Sequence, residues 1–96
     1  MDGEYQVLIV DEGRSGSVEY VEAGFTLPLW WEFTMNGAYI WAPSPEQWDS
    51  HWRSNNAEGA VGRRDEILNR VMEETIRKRT ISARGEVDYD GINLKF

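Results

Sequence analysis

The sequence predicts an α+β domain: a mostly antiparallel sheet of five or six strands, in the order ββ-ββ-α-α-ββ, with one main amphipathic helix packed on one face. Three observations predict it. Asn36-Gly37 stands between two aromatic, β-rich runs, and Asn-Gly is a favoured pair for a two-residue hairpin turn. Ile67, Leu68, Val71, Met72, Thr75 and Ile76 recur at helical spacing, which lines up an apolar stripe along one side of a helix. Towards the C-terminal end, Asp90-Gly91 separates two alternating runs and marks another such turn.

In chain order, Tyr5-Gln-Val-Leu-Ile-Val10 is a β-rich run. Its apolar residues occupy both parities, which predicts a strand covered on both faces. Glu12-Gly-Arg-Ser-Gly16 reads as a loop and residues 17–22 as a returning strand around Val18, Tyr20 and Val21, completing a first hairpin. The second hairpin joins Leu29-Trp-Trp-Glu-Phe-Thr-Met35 to Ala38-Tyr-Ile-Trp-Ala42. With Asn36 and Gly37 as the turn pair, Met35 faces Ala38, Phe33 faces Ile40 and Trp31 faces Ala42. These apolar residues share one side and should face the core. The other side pairs Thr34 with Tyr39 and Glu32 with Trp41, with Trp30 at its end. Pro28 falls at the start of the strand, where a missing N–H is tolerated.

Ser44-Pro45-Glu46-Gln47 has Ser as a cap, Pro at the first helical position and Gln three residues after the cap, the pattern of a capping box. It predicts a short helix that carries Trp48 and Trp52 one turn apart and ends at Ser54-Asn-Asn56. The main helix is expected over residues 62–79. Asp65 and Glu66 lie near its start and Arg77-Lys-Arg79 at its end, both placements matching the helix dipole. In the tail, Ile81, Ala83, Val87 and Tyr89 share one parity. Ile92, Leu94 and Phe96 complete an apolar side opposed by Glu86, Asp88, Asn93 and Lys95.

A chain of 96 residues fits a single domain, residues 1–96, around one core. Five Trp, four Tyr and three Phe supply ample apolar material for that core, so disorder is not expected. A domain this small buries a modest share of its surface, and a homodimer is a natural way to bury more. With no cysteine, disulfides and thiolate metal sites are excluded. The acidic start and the lack of an apolar run long enough to span a membrane predict a cytoplasmic protein with no membrane partner. The formal charge of −7 is uneven: residues 1–50 hold nine acids and one base, while residues 51–96 hold eight acids and nine bases. An acidic front half repels phosphate backbones, so no nucleic-acid partner is expected, whereas a basic protein would be attracted.

The chemistry-bearing motifs are few. His51 is the only histidine, so a multi-histidine metal site cannot form, and Asp49 and Ser50 do not face it on a helix. Glu86-Val-Asp-Tyr-Asp-Gly91 echoes the start of a calcium loop, with oxygens at alternate positions and Gly sixth. The sequence reaches only the eleventh position at Phe96, short of the bidentate Glu such a loop needs, and a plain hairpin is expected. Gly59-Ala-Val-Gly-Arg-Arg64 could present N–H groups and guanidinium groups to an anion, but lacks the Lys-Ser/Thr ending of a phosphate loop. Arg77-Lys78-Arg79, with Arg84, reads as a solvated helix end. No metal and no cofactor is expected.

One surface stands out. Trp30, Tyr39 and Trp41 share the outer side of the second hairpin with Glu32. Aromatics around a carboxylate can hold a cationic group or anchor a protein interface. Alternatively, the short helix folds back and Trp48 and Trp52 cover this side as a second small core, since aromatic stripes are more often packing than site. The expected function is therefore a non-enzymatic interaction protein acting on a protein partner or by self-association. The alternative is a small-molecule binder or small enzyme with an aromatic pocket between the sheet and the Trp48/Trp52 helix.

Overall fold

The computed structural model describes residues 4–79 and 83–96. Its strands are β1 (Gln6–Asp11), β2 (Ser15–Glu22), β3 (Phe25–Thr34), β4 (Gly37–Trp41), β5 (Arg84–Asp88) and β6 (Gly91–Lys95). Between β4 and β5 lie α1 (Trp48–Ser54), a 3-10 turn (Glu58–Ala60) and α2 (Arg64–Arg79). All pairings are antiparallel and the sheet order is β1-β2-β3-β4-β6-β5. The predicted α+β class and the order of hairpins, helices and final strand pair are present.

One side of the sheet is covered by both helices. Val7, Val18, Tyr20, Leu27, Leu29, Trp31, Ala38, Ile40, Ile92 and Leu94 form a continuous core with Trp48, Trp52, Ala57, Ala60, Ile67, Leu68 and Val71. The apolar stripe of α2 supplies the helical half of that core, with Met72 and Ile76 packed at its margin. Arg63 and Arg70, at the start and middle of this segment, tie it to the sheet through Glu22 of β2. The Glu22 carboxylate accepts from Arg63 at 2.7 Å and from Arg70 at 3.3 Å, and it also receives the Tyr20 hydroxyl.

Several local expectations are corrected. Strand β1 is covered on one face only: Val7 is buried, whereas Leu8 and Val10 are exposed. Strand β3 starts at Phe25, joined to β2 through a two-residue turn at Ala23-Gly24 with Glu22 opposite Phe25. Pro28 therefore sits inside the strand, opposite Glu19. It lies beyond the last β3–β4 pair, Trp30 with Trp41, where no neighbouring strand requires its missing N–H. The second hairpin turns at Met35-Asn36, with Thr34 opposite Gly37 and Phe33 opposite Ala38. Every partner is thus displaced by two residues from expectation. Because side chains alternate with period two, that displacement keeps Trp31 and Ile40 facing the core, but Met35, expected in the core, falls in the turn and is 97% exposed, and Phe33 beside it is left half-exposed at the sheet end.

The last hairpin behaves alike, turning at Tyr89-Asp90 with Asp88 opposite Gly91. Asp88 organises that turn, accepting the N–H groups of Asp90 and Gly91 at 3.0 Å each, which accounts for the oxygen-rich spacing there. At α1 the capping box does not form. The Ser44 carbonyl accepts from the N–H groups of Gln47 and Trp48, and no side-chain cap closes the helix. The N–H of Gly62 is taken by Asp49 at 2.8 Å, and Arg64 bonds the carbonyls of Pro43, Asp88 and Tyr89. The anion-binding potential of residues 59–64 is therefore spent within the fold. Ile81, expected in the final alternation, lies outside the described residues.

Candidate functional site

The side of the sheet opposite the helices is open. Its central row follows from the strand registers: Val10 lies opposite Ser17, Ser17 opposite Trp30, Trp30 opposite Trp41, and Trp41 opposite Gly91. The flanking row holds Ser15, Glu32, Tyr39, Asn93 and Glu86. Trp30 is 46% exposed and Trp41 44%. Small neighbours at Ser17 and Gly91 leave the two indoles standing proud of the sheet, and Leu8 and Val10 extend the apolar surface towards β1.

The aromatic group is held in a fixed arrangement. Tyr39 and Trp41, two apart on β4, have ring centroids 4.5 Å apart. The Trp41 indole N–H donates to Glu32 Oε1 at 3.1 Å across the β3–β4 pair. The Tyr39 hydroxyl donates to Asp88 on β5, reaching over β6. Burial, then the Asp88 carboxylate, pushes the Tyr39 hydroxyl well above the ordinary phenol range, so it stays a donor at neutral pH. Glu32 bonds to no cation among the described residues. Its carboxylate, steered by the indole, adjoins the two exposed tryptophans, an arrangement that can seat a cationic group against an aromatic face.

The structure brings together Trp30, Glu32, Tyr39 and Trp41, and places Trp48 and Trp52 elsewhere. Those two are about 1% exposed and lie edge to face at 5.5 Å within the core on the helix-covered side. The Trp48 indole donates to the Ala60 carbonyl at 2.8 Å, and this bond pins the 3-10 turn to α1. The short helix therefore packs against the inner side, not the outer one, and the Trp30/Trp41 surface lies across the sheet from it. His51 lies exposed on α1, its ring 4.4 Å from that of Trp52. No helix of the described residues is long and apolar enough to cross a membrane.

Sequence reasoning missed three contributors to the open side. Leu8 and Val10 join it because β1 is covered on one face only, and Glu19, opposite both Leu8 and Pro28, adds an acidic group. The alternation Ser17, Glu19, Val21 against Val18, Tyr20 carried that signal. Compared with protein-family models, with curated proteins and with solved structures, the chain matches none.

Proposed function

We propose that this protein is a non-enzymatic interaction domain whose open sheet side, centred on Trp30 and Trp41, binds a positively charged segment of a partner protein. The observation that carries this reading is the cross-strand pair of half-exposed tryptophans adjoining the uncompensated Glu32 carboxylate. Trp and Tyr are the residues most often found at interface hot spots. An arginine or lysine laid on Trp41 would meet the ring face and the carboxylate at once. Glu19 and Glu32 lie on this side near the tryptophans, while Glu86 is flanked by Arg84 and Lys95 at the β5–β6 edge, and the whole chain carries −7.

That charge favours a basic partner over a second copy of the chain, because face-to-face self-association would oppose like charges. Self-association through the same tryptophans is the competing form of this reading. The test is a fluorescence titration with an arginine-rich peptide, repeated with Trp41→Ala and Glu32→Gln. Trp41→Ala leaves the net charge unchanged, so an aromatic anchor predicts a loss of roughly 2 kcal/mol or more in binding. Equal binding by native and Trp41→Ala protein would reduce the effect to diffuse charge attraction. A concentration-dependent dimer by sedimentation, abolished by Trp41→Ala, would assign the surface to self-association instead.

A further inference from the structure

We infer that the outer edge of β5 docks a second copy of this chain, joining two sheets strand to strand in an antiparallel dimer. The hydrogen-bond alternation of the C-terminal strands shows which backbone groups are free. The N–H of Phe96 donates to the Asn36 carbonyl and that of Ala42 to the Asp90 carbonyl. Ile92 and Leu94, at the same parity between those two bonds, therefore turn their backbone groups to β4. Gly91, Asn93 and Lys95 turn theirs the other way, where they meet Asp88, Glu86 and Arg84. What remains on the outer edge of β5 is the N–H and C=O of Gly85 and of Val87. These groups make no hydrogen bond among the described residues, and neither residue is fully buried.

The opposite edge of the sheet is blunted. On β1 the bond from the Glu12 N–H to the Ser15 carbonyl sets the alternation that turns the backbone groups of Val7 outward. Lys78 of α2 caps the Val7 carbonyl, and Arg79 holds the Asp11 carboxylate on the same strand. A lysine at the edge is one way that sheets discourage strand addition. On β5 no such cap is present among the described residues, and the outer side chains carry both signs: Arg84, Glu86 and Asp88. Arg84 and Glu86 are exposed, and neither forms an ion pair among the described residues.

Charge decides both the occupant and the register. Hydrogen bonding through Gly85 and Val87 restricts the antiparallel registers that β5 can adopt with its own copy. Gly85 opposite the copy's Val87 would set Glu86 against Glu86. Val87 opposite Val87 would set Glu86 against Asp88 twice. Gly85 opposite Gly85 sets Arg84 against Glu86 twice, in the non-hydrogen-bonded positions where side chains come closest. This last register alone is free of a like-charge pair, and it is self-complementary, as a two-fold interface must be. Arg84 and Lys95 balance Glu86 and Asp88 at this edge, so the −7 of the chain is not concentrated where the copies meet. The two-fold axis lies normal to the sheet and leaves both Trp30/Trp41 surfaces on one side of the joined sheet. On the function proposed above, a dimer would hold two basic segments of one partner at once.

Sedimentation equilibrium of the native chain, of Arg84→Glu, of Glu86→Arg and of the double variant carrying both substitutions tests this assignment. The native chain should dimerise reversibly. Each single reversal, at an exposed position where folding is not at stake, turns two attractive pairs into repulsive ones and should weaken the dimer by roughly tenfold. The double variant restores both pairs with the net charge unchanged and should recover native dimerisation. Trp41→Ala, on the open side of the sheet, should leave dimerisation as it is. A monomer at all concentrations up to about 1 mM, a dimer indifferent to the single reversals, a double variant as weak as the single ones, or a dimer lost with Trp41→Ala would each overturn the proposal.

Discussion

Gly37 and Gly91 stand at opposite ends of the β4–β6 pair, and each lies against a carbonyl of the other strand. A Cβ at Gly37 would collide with the Leu94 oxygen, and one at Gly91 with the Ile40 oxygen. Both glycines follow a turn-forming Asn or Asp, yet neither lies in a turn. Each opens a strand, where the absence of a side chain lets two backbones close up.

This arrangement predicts opposite sensitivities at adjacent residues. Asn36 does not adopt positive φ in the Met35-Asn36 turn, so Asn36→Ala should change stability by no more than about 0.5 kcal/mol. Gly37→Ala should cost roughly 1–3 kcal/mol, as overpacking against a fixed neighbour does. Urea denaturation of the two variants measures both. A large loss at Asn36 with none at Gly37 would restore the Asn-Gly turn.

Adjacent tryptophans should also differ. Trp31 is buried and its indole donates to the Val10 carbonyl at 3.2 Å, so Trp31→Ala should destabilise the fold by about 3–5 kcal/mol. Trp41→Ala removes a half-exposed ring, its tilted contact with Tyr39 and one exposed hydrogen bond, a loss of about 1 kcal/mol. Chemical denaturation gives both values. Equal losses would mean that Trp41 is part of the structural core.

At alkaline pH the Tyr20 hydroxyl should set a limit. Burial, then its bond to the Glu22 carboxylate, pushes it up to about 12 from an ordinary 10.0, with Arg70 opposing. A raised value means the folded protein keeps a proton that the unfolded chain releases. The stabilisation is complete below pH 10 and is lost as pH rises towards 12. The melting-temperature difference between native protein and Tyr20→Phe should shrink over that interval. A difference that is flat from pH 9 to pH 12 would contradict it.

Glu22 sets the corresponding acid limit. Burial raises its proton affinity, but bonds from Arg63 and Tyr20 and the charges of Arg63 and Arg70 outweigh this and hold the carboxyl below its usual range. A depressed value makes the contribution complete above the unfolded pKa, about 4.3. It fades as pH falls through the folded one. Glu22→Gln should cost roughly 1–2 kcal/mol at neutral pH, since the pair is partly exposed. The variant's melting temperature should approach that of native protein in acid; a constant gap from pH 7 to pH 3 would refute the assignment.

The sequence made the sides of the sheet legible but not the pairings. Alternation told which of Trp30 and Trp31 faces the core, because parity survives a displacement of two residues. The turn position was misjudged because Asn-Gly and Asp-Gly preferences are local. The demand for glycine at positions 37 and 91 comes from β4 meeting β6, a contact that no local window contains. Helical spacing put Trp48 and Trp52 on one side of a helix, yet could not say which side of the sheet that helix covers. Thr75 was read as part of an apolar stripe, which it is.

The strand order carries a consequence for how the chain reaches this structure. Every neighbouring pair but one joins strands consecutive in sequence; β4 and β6 meet only after both helices and β5 have been threaded between them. Local hairpins close quickly, whereas joining segments far apart requires a large loop to be ordered first. The chain is thus kinetically divided into a four-stranded meander, β1 to β4, and a separate C-terminal hairpin. The strand order predicts that their meeting at the β4–β6 seam is the slow event, to be checked by stopped-flow refolding of a Gly91→Ala variant against native protein. Until it happens, β4 is an unpaired edge with Ala38 and Ile40 uncovered, and the same seam is where a second chain could insert its own hairpin.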